Sequence, residues 1–269
     1  MDQAPGRLAR AAAAMLGLAL ASCYSSVGAW TYPSGRYTTT ASPQPAPAFV
    51  LVEPLLDERG HENVSSMTWS YVPVFPLGWN HFDRPEATVP GPDTTQYRVE
   101  PCLDLARSIV IELQRQHLVE RAEFARDYQH GLGETHRLRG RLRAFSVDLT
   151  RWTYGLSVYA PVLWSLGLPQ ATSKNAFCVD LELVEVASQR VVWSASLFDA
   201  DSWVEGYYYG PDWYRFSWMW ERRLRAGLLD LARVLGATAA PLPSELRDEL
   251  ELFPAQMPEE LQRTGQEGR

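Results

Sequence analysis

Residues 176–198, AFCVDLELVEVASQRVVWSASLF, contain the pattern that decides the fold. Apolar and polar residues alternate in two runs, which the turn-like segment 187–189 separates. Such alternation is typical of a strand that buries one face, and two runs with a short connection predict a β-hairpin. The alternating apolar positions are Phe177, Val179, Leu181 and Leu183 in the first run and Val191, Trp193, Ala195 and Leu197 in the second.

A longer strand is predicted over residues 137–149, before the hairpin. Four like charges on its polar face would repel one another unless acids balanced them. Asp180 and Glu182 occupy the polar face of the next strand, so we expect an ion-pair lattice across the sheet. The alternative is that these arginines bind an anionic headgroup or a glycan. The two faces carry Leu138, Gly140, Leu142 and Ala144 on the apolar side and Arg137, Arg139, Arg141 and Arg143 on the polar side.

The remaining elements complete an α/β order. The apolar run 49–52 predicts a buried strand, and residues 123–125 predict a short one. Apolar residues at helical spacing predict helices over 99–118 and 216–235, the second capped by Gly236. We therefore expect one α/β (α+β) domain over residues 48–237. It has a single mixed sheet of about five strands and two packing helices, in the order β-α-β-β-β-β-α.

Two stretches fit this plan less well. The connection 55–96 is long for a compact domain, which is typical of a functional or mobile segment. Met67, Trp69 and Tyr71 alternate within it and predict an additional short strand. Residues 238–269 are polar and punctuated by proline, so we expect a largely disordered tail, with a short helix near 244–252 as an alternative.

The N-terminus has the order of a secretory signal. Arg7 and Arg10 precede an apolar run at 11–21, which is shorter than the roughly 20 residues needed to span a bilayer. The residues Leu20-Ala21-Ser22-Cys23 resemble the bacterial lipobox, in which the cysteine is acylated after cleavage. This resemblance implies a signal peptide over 1–22, a lipidated Cys23 and a flexible tether to residue 47. Tyr24 after the cysteine then favours the outer membrane, with the domain facing the periplasm.

Charge and cysteine content narrow the possible partners and cross-links. The formal net charge is −7, and loss of Asp2, Arg7 and Arg10 with the signal peptide makes it −8. A surface this acidic is a poor match for nucleic acid, whose affinity for proteins comes from phosphate neutralisation.

Cys102 and Cys178 either form one disulfide in an oxidising compartment or remain as buried thiols.

The element order resembles a known type of small α/β domain. The matching stretches are 49–54 (FVLVEP), 123–125, 138–142 and 179–186 with 190–194. They are similar to the curli-secretion lipoprotein, to lipoprotein activators of penicillin-binding proteins and to the N-terminal domain of TolB. The resemblance implies a role in envelope assembly, secretion or activation without enzymatic chemistry. Two features depart from it: Ser188-Gln189 replaces a glycine common in the last hairpin turn, and the connections 55–96 and 152–170 are longer than usual.

Two aromatic segments are the candidate contact surfaces. Segment 152–169 has no charged residue, and it either faces a membrane or partner or covers the local core. Segment 201–221 has more aromatic residues than one small core can bury, which favours an interface. The expected contact residues are Trp152, Tyr154, Tyr159, Trp164, Trp203, Tyr207, Tyr208, Tyr209, Trp213, Tyr214 and Trp218.

No catalytic signature accompanies these features. The chain lacks the G-x-S-x-G, H-E-x-x-H, P-loop and G-x-G-x-x-G motifs, so we name no catalytic residue, metal ligand or cofactor. The sequence predicts a non-enzymatic envelope lipoprotein that contacts a protein partner or a membrane through its aromatic loops. One alternative is an oligomeric accessory component of a secretion or transport system, formed as a homo-oligomer. Another is an enzyme acting on peptidoglycan.

Overall fold

A computed structural model of the chain describes residues 28–29, 32, 37, 41–87, 97–125, 133–209, 215–238 and 240–252. The chain forms two compact units. In the smaller one, strands β1 (Gly28–Ala29) and β6 (Tyr97–Arg98) pair in parallel. The larger unit contains all other described elements. The predicted signal peptide and Cys23 lie outside the described residues.

The larger unit has these elements. Its strands are β2 (Ala46–Val52), β3 (Leu56–Asp57), β4 (Asn63–Ser65), β5 (Leu77–Phe82), β7 (Val119–Phe124), β8 (His136–Trp152), β9 (Ala171–Glu185) and β10 (Val191–Glu205). Its α-helices are α1 (Pro101–Arg115), α2 (Ala160–Ser165), α3 (Arg215–Val234) and α4 (Ser244–Leu252). Three 3-10 turns cover Met67–Tyr71, Pro85–Ala87 and Ser157–Tyr159.

The mixed α/β class is confirmed, and so is the hairpin predicted over residues 176–198. The sheet has the order β10-β9-β8-β2-β7, with β9 antiparallel to both its neighbours and β2 parallel to β7 and β8. The path from β2 through α1, β7, β8, β9 and β10 to α3 follows the predicted β-α-β-β-β-β-α order. Gly236 caps α3 at a φ of +82°, and the amide of Ala237 donates to the carbonyl of Ala232.

The counts of about five strands and two helices are wrong. The sheet has eight strands, because β3 and β5 also pair with β8 and β4 pairs with β5. These strands have two to six residues and lie in the long connection, where proline and glycine interrupt any alternation. The strand predicted at Met67, Trp69 and Tyr71 is also wrong, because these residues form a 3-10 turn. Helices α2 and α4 are too short to give a clear periodic signal.

A bulge in β8 changes which residues face the core. The pairing with β9 shifts register between Leu142 and Ala144. Beyond the shift Phe145, and not Ala144, is buried, so the predicted apolar face is correct only up to Leu142. The Phe145 ring then packs edge-on against Phe216 at the start of α3, with 4.2 Å between ring centroids.

Helices α1 and α3 enclose a buried ionic cluster. Arg225 of α3 is 2.8 Å from Glu221 and 3.5 Å from Glu112 of α1, and all three side chains are buried. The neighbouring Arg222 of α3 pairs with the buried Asp199 of β10. The cluster therefore joins the two helices, and its second pair fixes α3 to the sheet.

The N-terminal segment and the C-terminal helix pack on this cluster. Tyr32 donates to Glu112, and burial beside that carboxylate raises the pKa of the Tyr32 phenol far above its usual range. Tyr37 lies under Arg225 and donates to Glu249 of α4. Residues 32 and 37 belong to the predicted tether and α4 to the predicted tail, so both segments contribute more structure to the domain than the sequence suggests. Leu246 of α4 is fully buried.

Both described cysteines are free thiols. Cys102 lies half-buried in the first turn of α1, and Cys178 is buried in β9. Burial raises the pKa of both thiols, that of Cys178 to about 11. They therefore have the environment of small apolar core residues, the second of the two alternatives that the sequence leaves open.

Replacing Arg225 with Met should lower the free energy of unfolding by about 3–5 kcal/mol, because it removes the cation that two buried carboxylates share. Arg233→Met on the same helix is the matched control, since Arg233 is largely exposed and lies 4.0 Å from Asp230. It should change stability by less than about 0.5 kcal/mol. Urea unfolding of both variants measures the difference, and equal effects would contradict the assigned role of Arg225.

The thiols give a second test. Unreduced protein denatured in the presence of an alkylating reagent should carry the label on both Cys102 and Cys178. The native protein at pH 8 should react slowly at Cys178, because its raised pKa keeps the thiolate fraction low. Peptide mapping checks both results, and two unlabelled cysteines in the denatured sample would indicate a disulfide.

Candidate functional site

One end of the sheet carries an uncharged apolar surface. Strands β8 and β10 finish at this end, and β5 and β9 begin there. Three connecting segments cover these strand ends, residues 67–76, 153–170 and 206–209, and we call them together the apolar tip. None of the three contains Asp, Glu, Lys, Arg or His.

Large apolar side chains of the tip are exposed to solvent. Val74 is 85% exposed, Tyr208 74%, Leu166 72% and Tyr159 71%. Exposed apolar residues occur singly on most proteins, but a contiguous group of them marks an interaction surface. The further exposed members are Trp69, Tyr71, Val72, Phe75, Leu156, Val158, Val162, Tyr207 and Tyr209.

Hydrogen bonds hold the three segments together. The amides of Thr153 and Tyr154 both donate to the carbonyl of Pro76, and the amide of Val74 donates to the carbonyl of Gly155. From the third segment, the Tyr208 hydroxyl donates to the carbonyl of Ser165 at 2.7 Å. The tip is therefore one connected structure, although its parts are far apart in the sequence.

Side chains satisfy many of the tip's backbone carbonyls. The buried Trp164 donates its indole N–H to the carbonyl of Trp152 at 2.9 Å, and the Tyr154 hydroxyl donates to Pro169 at 2.7 Å. The hydroxyl of Ser157 donates to Tyr71. Polar groups that hydrogen-bond internally lose less on transfer out of water, so the tip is suited to burial against an apolar surface.

Backbone strain is concentrated in the tip. Val74 has a φ of +79°, Tyr154 of +55° and Ser157 of +51°. Positive φ is unfavourable for residues with a Cβ, most of all for a β-branched one such as Val74. Such strain persists where the surrounding structure enforces it, and it clusters at functional sites.

The tip includes only some of the predicted contact residues. Tyr154, Tyr159, Trp164 and Tyr207–Tyr209 lie in it, whereas Trp152 and Trp203 lie on the strands below and Trp218 on α3. Segment 152–169 covers the local core and also presents a surface. Ala160 and Trp164 are buried, whereas Tyr159 and Leu166 are exposed. Trp213 and Tyr214 lie outside the described residues.

Segment 67–76 is the part of the site that the sequence prediction missed. Its aromatic residues lie in the long connection, where neither helical nor strand periodicity marks them. A usable signal exists, because no charged residue occurs between Glu62 and His81, as none occurs between Arg151 and Lys174. Two uncharged aromatic stretches in one chain would have suggested a shared surface.

The arginine stripe on β8 is paired with acids. Arg139 lies 2.9 Å from Glu182 and Arg143 lies 2.5 Å from Asp180, both across the β8–β9 ladder. The other two arginines have partners that the prediction did not name, Glu134 for Arg137 and Glu58 for Arg141. The stripe is thus neutralised within the domain, which gives no support to the anion-binding alternative.

Among the described residues, no group of three or more His, Cys, Asp or Glu is placed to hold a metal ion. None of the helices described is both long enough and apolar enough to cross a membrane.

Replacing Trp164 with Phe should destabilise the tip by about 1–3 kcal/mol, because it leaves the Trp152 carbonyl without its indole donor. The matched control is Trp79→Phe on β5, where the indole is exposed and a small effect is expected. Native-state hydrogen exchange over residues 153–170 measures the local stability. Unchanged exchange in Trp164→Phe would show that the indole bond does not hold the tip.

Comparisons with known proteins concern the fold alone. No protein-family model and no curated protein match the chain. It is similar to the crystal structure of protein XCC0632 from Xanthomonas campestris, at 13% identity and a TM-score of 0.37, over 73% of this chain and 90% of that one. It is also similar to two structures of PelC dodecamers from Paraburkholderia phytofirmans, at 14% and 12% identity and TM-scores of 0.34 and 0.32. Both cover 77% of this chain and 100% of PelC. Similarity at this level carries no conclusion about function.

Proposed function

We propose that the chain is a non-enzymatic lipoprotein of the bacterial cell envelope that is anchored through Cys23 and acts by contact through its apolar tip. The observation that carries the contact role is the tip itself, an uncharged and exposed apolar surface on a strained, internally bonded scaffold. A surface of this kind tends to be buried against something else when the protein works. The lipobox resemblance at residues 20–23 supports the anchor and the envelope location.

Two residues of the predicted tether contact the end of the domain opposite the tip. Tyr32 contacts Glu112 near the end of α1, and the Ser42 amide bonds to the carbonyl of Gln116 just beyond it. This is the end at which β2 begins. The tip lies beyond the other end of β2. The last residue of β8 that pairs with β2 is Leu138, and β8 continues for 14 residues past it, a length of roughly 45 Å. The tip therefore lies at the opposite end of the domain from these tether contacts.

A second candidate function is an oligomeric accessory component of a secretion or transport system. The observation in its favour is the edge strand β10, whose 15 residues form one border of the sheet and expose Val191, Val192 and Val204. A long exposed edge strand is a template for pairing with another chain, including a second copy. Light scattering of the detergent-extracted protein tests this candidate, and a monomer would exclude it.

The contact role is tested by placing a charge on the tip. Val162→Asp changes an exposed side chain, so it should leave urea unfolding nearly unchanged but abolish recovery of crosslinked partners from native membranes. Val191→Asp is the control, since Val191 is exposed at the far end of β10. It should behave as the unaltered protein in both measurements. Crosslinking that is equal in all three proteins would count against the contact role.

The anchor has its own test. Mass spectrometry of the mature protein should show an acylated N-terminal residue 23. An unmodified cysteine, or a mature chain that starts elsewhere, would remove the anchor from the proposal. That result would leave the contact role of the tip unaffected, because the exposure of the tip's apolar side chains does not depend on Cys23.

A further inference from the structure

We infer that the apolar tip inserts into the interfacial region of a lipid bilayer, and that it does so without requiring anionic lipid. This inference rests on the proposed contact role and names the partner class of that surface. Its first support is the absence of any charged or histidine side chain from residues 67–76, 153–170 and 206–209. A protein interface normally has a polar rim that supplies charged partners and hydrogen bonds, and these segments offer no charged group for such a rim.

The second support is the direction of the hydrogen bonds. The hydroxyls of Tyr154, Tyr208 and Tyr209 donate to carbonyls within the tip, those of Pro169, Ser165 and Gly167. The hydroxyl of Ser165 donates to Val162 in the same way. Within lipid a backbone carbonyl finds no water, so internal donors are the requirement that a bilayer sets for irregular backbone. A partner protein could supply such donors itself and would not impose this arrangement.

The third support is the composition of the exposed residues. They combine aliphatic side chains, such as Val74 and Leu166, with tyrosine and tryptophan, such as Tyr159 and Trp69. Trp and Tyr favour the level of the lipid headgroups, and aliphatic side chains favour the acyl boundary below it. Three loops that carry this mixture at the same end of a sheet can enter a bilayer together.

The charges at the base of the tip decide the lipid preference. Arg151 and Lys174 are the basic residues that flank segment 153–170. The acid Asp148 lies on β8 with Arg151, and Glu205 pairs in register with Ala171 at the start of β9. Lys174 is the register partner of Asp148, so its charge is locally opposed. Among the described residues at the base of the tip, no basic collar forms that would concentrate the protein on anionic lipid. Insertion should therefore be equal on neutral and anionic bilayers and should change little with salt.

The experiment places a nitroxide label on the full processed protein. Tyr159→Cys carries the label on the tip and Val191→Cys carries it at the opposite end, both with Cys102 and Cys178 replaced by Ala. The proteins are reconstituted into vesicles of phosphatidylcholine alone or with one third phosphatidylglycerol. Collisions with oxygen, which concentrates in lipid, are compared with collisions with a water-soluble nickel chelate.

On both vesicle types the ratio of oxygen to nickel accessibility should be several-fold higher at residue 159 than at residue 191. Adding Val162→Asp to the Tyr159→Cys protein should return the label to water, because a charge opposes insertion. Val162 is exposed, so this change should leave urea unfolding nearly unchanged.

The remaining outcomes separate the two proposals. A residue-159 label that stays in water on vesicles, but is shielded in native membranes where the tip crosslinks to a protein, would overturn the lipid inference and keep the contact role. A label accessible to the nickel chelate in both settings would overturn both. Insertion that requires phosphatidylglycerol would contradict the inference of a charge-independent surface.

Discussion

The fold depends on one buried ionic cluster, that of Arg225 with Glu221 and Glu112. Two carboxylates and one guanidinium removed from water are unfavourable unless each finds partners, and here Tyr32, Arg115 and Gln116 complete the set around Glu112. The partners come from α1, α3 and the N-terminal segment. The cluster can therefore form only when all three are in place. This makes residues that resemble a tether in composition a part of the folded domain.

Helices α1 and α3 cover part of the sheet, and the sheet extends beyond them. Phe216 and Trp220 of α3 pack on Phe177 of β9, while β8, β9 and β10 continue past this level to the tip. Pairing of β5 with the last six residues of β8 widens the projecting part. The long strands keep the tip at a distance from α1 and α3. Its loops can therefore carry an apolar, strained surface that a compact core could not accommodate.

The sequence predicts the parts of the fold in which local pattern and tertiary role agree. Alternation gave β8, β9 and β10, and helical spacing gave α1 and α3, because each of these elements buries one regular face. It could not predict β3, β4 and β5, which are short. Strands β3 and β5 join the sheet by pairing with β8, and β4 joins by pairing with β5, without a regular pattern of their own. The burial of Tyr32 and Tyr37 was equally invisible, because it depends on acids and an arginine that lie 80 to more than 200 residues away.

Local sequence composition reveals two of the three segments of the tip and does not reveal the third. Segments 152–169 and 201–221 were recognised because each has an unusual composition by itself. Segment 67–76 is less unusual alone, and it joins the surface through contacts with distant residues, such as the Pro76 carbonyl, which accepts two amides from just beyond the end of β8. What the three segments share is the lack of charge, and lack of charge shows as a pattern only when distant parts of the chain are compared. A surface defined by absent charges is therefore harder to find than one defined by present ones, although its physical consequence, poor solvation by water, is just as strong.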